Sequence, residues 1–122
     1  MVQPFIISLL HLLIVVPLLL FVGFQRAATP TWLYIALIFI GSIVMFYHGF
    51  RLATRLKNNS AYSWVNALHV CIVAPLLLYI GYNKQNTPRF AYELLLMLGF
   101  AATGYHLFSI VRMLDAHPEP NL

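Results

Sequence analysis

Four histidines, His11, His48, His69 and His106, lie inside apolar stretches of a chain that holds only seven lysines and arginines and three acids in 122 residues. An ionisable side chain in such surroundings is costly and turns toward a partner, water or a ligand. Imidazole can do three kinds of work there. It can hydrogen-bond a neighbouring carbonyl or hydroxyl, it can take up a proton near neutral pH, or its nitrogens can ligate Zn, Cu, Fe or Ni, or hold haem as an axial pair. No acidic residue accompanies the four, which argues against a carboxylate-bridged di-iron site.

Their spacing is the second clue. His11 and His69 are 58 residues apart, and so are His48 and His106. At that offset the whole sequence runs in register: HLLIVVPLLLFVGFQRAATP lies over HVCIVAPLLLYIGYNKQNTP, and Tyr34, Gly41, Tyr47 and Phe50 lie over Tyr92, Gly99, Tyr105 and Phe108. About 16 of 40 aligned positions are identical, and the matched His, Pro, Gly and Tyr weigh more than matched leucines. The chain is an internal duplication.

The elements that must carry these residues follow from composition. With 61% hydrophobic and 8% charged residues and a mean hydropathy of +0.83, the sequence excludes a soluble enzyme of this size. One cysteine, Cys71, excludes an internal disulfide, and the basic residues are too scattered for nucleic acid. Four stretches are long and apolar enough to cross a bilayer: 5–24, 31–52, 62–82 and 90–113. None alternates as a barrel strand would. The expected fold is an all-α integral membrane protein. It is a four-transmembrane-helix bundle built from two parallel two-helix repeats, 5–52 and 62–113, with pseudo-two-fold symmetry and a flexible tail at 114–122 that includes His117. Cations on the two sides favour cytoplasmic termini by one charge.

On those helices all four histidines fall at one depth, roughly 9 Å inside the side that carries the termini. Tyr34, Leu37, Gly41 and His48 share a stripe, as do Tyr92, Leu95, Gly99 and His106, while His11, Val15, Leu18 and Val22 form another. Gly41 and Gly99 suit close helix contact or room for a macrocycle. Pro17 and Pro75 interrupt the first and third helices and predict kinks. Thr29-Pro30 and Thr87-Pro88 read as helix starts with threonine N-caps. Tyr47 and Tyr105 suit interfacial anchoring. Asn66, three residues before His69, could orient that ring or bond another helix, and Glu93 is placed to pair with Arg89 at one interface.

The expected function is therefore a polytopic membrane protein with an intramembrane histidine layer that binds a transition metal ion or haem, with His11, His48, His69 and His106 as ligands. Two alternatives stand beside it: an oligomeric proton or ion channel using the same layer, and a non-catalytic membrane assembly subunit. Expected partners are the lipid bilayer and a second copy or another membrane subunit, not nucleic acid. Nucleotide fingerprints, nucleophile elbows and HExxH are absent from the sequence.

Overall fold

The computed structural model describes residues 2–116, and every regular element among them is helical. Four helices are long and apolar enough to cross a membrane: α1 (Pro4–Ala28), α2 (Thr31–Lys57), α3 (Ser63–Asn86) and α4 (Arg89–Asp115). They outrun the apolar stretches. The helix of α2 continues through Arg51-Leu52-Ala53-Thr54-Arg55-Leu56-Lys57, residues with good helix propensity that need not be apolar beyond a bilayer's thickness. The α4 helix likewise runs to Asp115, into the expected tail, while residues 117–122 of that tail lie outside the described residues.

Both prolines are accommodated without breaking their helices. A single π-helical turn precedes each, His11–Val15 before Pro17 and His69–Val73 before Pro75. Proline has no N–H, and its ring clashes with the carbonyl four residues back. Widening the turn relieves that clash: the Val16 N–H bonds the His11 carbonyl and the Ala74 N–H bonds the His69 carbonyl, each an i→i−5 contact. The extra residue also shifts the phase of the turn that follows it. The buried hydrophobic side chains of α1 are Val16, Leu19 and the expected Val22, in place of Val15 and Leu18, and in α3 Ala74 and Leu77 join Leu76 and Ile80, which lie on the stripe that continues from His69.

The threonine caps are corrected too. The helices start at Thr31 and Arg89, with Pro30 in the cap position of α2 and no side-chain cap bond there. The Thr87 hydroxyl instead donates backward to the Lys84 carbonyl at 2.6 Å. Thr87 thus closes the preceding 3-10 turn, Lys84–Asn86, rather than opening the next helix.

The chain divides into two compact units. One comprises Gln25–Tyr92, so α2 and α3 with the end of α1 and the first residues of α4; the other comprises Met1–Phe24 and Glu93–Leu122, the bodies of α1 and α4. Each unit therefore joins one helix from each sequence repeat. Within each, paired residue numbers run in opposite directions, so the helices are antiparallel. In the first unit Gly41 abuts Leu77 and Leu78; in the second Gly99 abuts Leu19 and Leu20, the residues 58 positions earlier. Gly81 comes closest of all to its neighbour, where a Cβ would stand 2.6 Å from Ile38 and 2.7 Å from the Tyr34 carbonyl oxygen.

The end of the α2–α3 unit near Thr31 holds a buried tyrosine pair. The Tyr34 and Tyr92 hydroxyls are 2.7 Å apart, and they also reach the Arg26 carbonyl at 2.8 Å and the Lys84 carbonyl at 3.1 Å, respectively. Two hydroxyl protons thus serve three contacts. Both carbonyls are aimed by residues in the left-handed half of backbone space, Arg26 and Lys84 each with φ of 51°.

Candidate functional site: two stacked histidine pairs

The π turns place His11 and His69 at their first position, and in both the ring folds back onto its own helix. His11 Nδ1 is 2.8 Å from the Ile7 carbonyl oxygen and His69 Nδ1 is 2.7 Å from that of Val65. A carbonyl only accepts, so Nδ1 carries the proton in both, and the neutral ring bears its lone pair on Nε2.

Each ring is covered by a histidine from the facing helix. His48 of α2 stacks on His69 with ring centroids 4.0 Å apart and planes 13° from parallel. His106 of α4 stacks on His11 at 4.3 Å and 21°. The second ring of each pair is anchored on the residue next to the one that holds the first. His48 Nδ1 is 2.9 Å from Asn66 Oδ1, and His106 Nδ1 is 3.2 Å from Ser8 Oγ. Thus Val65 and Asn66 hold one stack, while Ile7 and Ser8 hold the other. Because both Nδ1 atoms of a stack face one helical turn, both Nε2 atoms lie toward the edge away from it.

Tyr47 and Tyr105 are also part of this arrangement. Their rings meet His48 and His106 edge-on, each at 5.1 Å, while both remain substantially exposed. His106 is buried and the other three histidines are half-buried. Asn66 bonds His48 across the helix pair, and the backbone, not Asn66, orients His69. The faces of Gly41 and Gly99 are filled by leucine side chains. Pro17 and Pro75 act from a distance, through the π turns they impose. Glu93 is exposed near the start of α4, away in sequence from every histidine. Among the described residues no group of three or more His, Cys, Asp or Glu side chains is placed to hold a metal ion.

Ser8 and the Tyr34–Tyr92 pair were not singled out as functional by sequence reasoning. The signal was there for both: a polar residue three positions before the histidine in each half, and an identical tyrosine at the same offset. Against known proteins, no family model, curated protein or solved structure matches this chain.

Proposed function

We propose that this is a multi-pass membrane protein, pseudo-symmetric by duplication, whose two histidine pairs take up and release protons within the bilayer in the course of proton-coupled transport. The observation that carries the reading is the pair itself: two imidazoles in face contact, each with Nδ1 held by a fixed partner. A proton needs no extra space there. Once one ring is charged, the neighbour 4.0 or 4.3 Å away is disfavoured from charging, so each stack behaves as a one-proton site. Haem held between the two rings of a pair does not fit this packing, since an iron and its macrocycle cannot enter rings already in contact.

A transition metal ion is the second reading, and one observation favours it. Histidines that ligate through Nε2 commonly donate Nδ1–H to a carbonyl, as His11 and His69 do.

The deciding experiment is a side-chain nitrogen NMR titration of the full chain in vesicles, with metal analysis of the same sample. The expected outcome is uptake of one proton per pair, and dissipation of an imposed pH gradient that His48→Ala with His106→Ala abolishes. Histidines that stay untitrated while holding stoichiometric metal would establish the second reading instead. Neither titration nor metal would defeat both.

A further inference from the structure

Three basic residues at the turn between α2 and α3 take no part in the histidine stacks. Arg51, Arg55 and Lys57 close the last two turns of α2, where the helix runs on past its apolar stretch. Arg51 and Arg55, four apart, share one face and are half-buried, and Lys57 is exposed. The duplication supplies a control. At the same places in α4, 58 residues later, stand Ser109, Met113 and Asp115, and that helix is formed as far as Asp115. The cations are therefore no requirement of the helix or of the repeat.

Nor are they spent on capping it. The end of α2 closes on itself, with Asn59 in the left-handed region at φ 53°. The Asn58, Ser60 and Asn59 N–H groups donate to the Thr54, Arg55 and Leu56 carbonyls at 3.1, 2.9 and 3.2 Å, groups that a basic side chain could otherwise cap. Arg55 gives one of its donors to the Tyr62 carbonyl, at 3.2 Å, which ties the end of α2 to the start of α3. No acid occurs anywhere in 25–92.

The depth of the three suits a headgroup layer. Exposed aromatics mark two levels on this helix pair: Trp32 and Tyr82 near one end, Tyr62 and Trp64 near the other. Trp32 to Arg51 is 19 residues and Trp64 to Tyr82 is 18, so the levels are roughly 27–29 Å apart, close to the thickness of a hydrocarbon core. Arg51 thus stands at the edge of the apolar layer. Arg55 and Lys57 lie roughly 6–9 Å beyond it, at the depth of lipid phosphates.

We propose that the α2–α3 turn binds the headgroup of an anionic phospholipid. The Arg51 and Arg55 guanidiniums donate to its phosphate oxygens, Lys57 adds attraction, and Tyr62 and Trp64 seat the turn at that level. This rests on the multi-pass reading above and asks nothing of the histidines. The opposite end of the pair also has three cations, Arg26, Lys84 and Arg89, but Glu93 lies one turn from Arg89 along α4, which makes that end the comparison.

The chain has two tryptophans, one at each level, so each end can be read alone. In Trp32→Phe only Trp64 reports, and in Trp64→Phe only Trp32 does. The full chain is placed in phosphatidylcholine vesicles in which either phosphatidylglycerol or phosphatidylcholine carries a quencher high on its acyl chain. The expected result is stronger quenching of Trp64 by the phosphatidylglycerol. That preference should fall about fivefold in Arg51→Ser and at least as far in Lys57→Asp, which copy the residues of α4, while quenching of Trp32 stays as it was. Equal quenching of Trp64 by the two lipids, in a chain that an alkaline wash leaves on the vesicles, overturns the lipid site and keeps the multi-pass reading. A chain washed off the vesicles removes both. A preference equal at the two tryptophans, or unmoved by both substitutions, is general attraction to a basic protein and overturns the site as well. So does loss of the preference in inorganic phosphate at matched ionic strength, which would make the occupant a soluble anion. Should either substitution fail to fold, the comparison of Trp64 with Trp32 decides alone.

Discussion

The two units solve one structural problem with the same parts and then surround it with different charge. Each stacks a histidine from the π turn of one helix on a histidine from its antiparallel neighbour, anchors both rings on one turn, and seats a glycine against two leucines. Around that shared geometry, the α2–α3 unit is uniformly basic, whereas the α1–α4 unit carries all three acids and a single arginine. The proton reading proposed above assigns both stacks the same step, and the difference in charge sets that step in two units of unlike charge.

The strongest way to break the comparison is to damage one seam and leave the other. Gly81 cannot take a Cβ without displacing Ile38 and the backbone of Tyr34. Gly81→Ala is therefore expected to cost about 3 kcal/mol, since backbone has nowhere to move, and to separate His48 from His69 while His11 and His106 stay stacked. At Gly99 the obstruction is the flexible end of Leu20, at 2.7 Å, so Gly99→Ala should cost less than about 1 kcal/mol. Chemical denaturation of both variants, followed by histidine NMR, checks the pair. Equal costs would mean that the α2–α3 seam does not depend on close backbone approach.

How far this arrangement is legible in the sequence depends on which physical term sets each part. The four long apolar helices were legible because hydropathy and length alone mark them. Their ends were not, because the helix through Arg55 and Lys57 is held by propensity rather than by burial. The stripe Val15 and Leu18 was misplaced because a 3.6-residue period assumes an unbroken α-helix. Pro17 announced a disturbance, but not that it would be absorbed as a π turn that brings Val16 and Leu19 inward. The histidines were found by type and by duplication. Which of them meet was not, since spacing along a helix says little about the facing one: Asn66 is three residues from His69 yet bonds His48.

A smaller effect concerns strain found in the α2–α3 unit. Lys84 has φ 51° and ψ −129°, a region that L-residues avoid and glycine enters freely. The distortion turns its carbonyl toward Tyr92 and Thr87. Lys84→Gly should keep those bonds and stabilise the unit by about 1 kcal/mol, raising its denaturation midpoint. A lowered midpoint would show that the lysine side chain contributes more than its backbone costs.

The mildest expected effect sharpens the comparison most, because it asks whether the anchoring side chain makes the stacks differ. Ser8→Asn gives the α1–α4 unit the anchoring residue of its counterpart, and nothing else changes. His106 Nδ1 is 3.2 Å from Ser8 Oγ, whereas His48 Nδ1 is 2.9 Å from Asn66 Oδ1. An amide oxygen only accepts, so it fixes the proton on the facing Nδ1, which a hydroxyl, able to donate or accept, does not. The expected outcome is that the Nδ1 proton signal of His106 in the NMR spectrum moves toward that of His48. Signals that stay apart in a folded Ser8→Asn chain would assign the difference between the stacks to the residues around them rather than to the anchor.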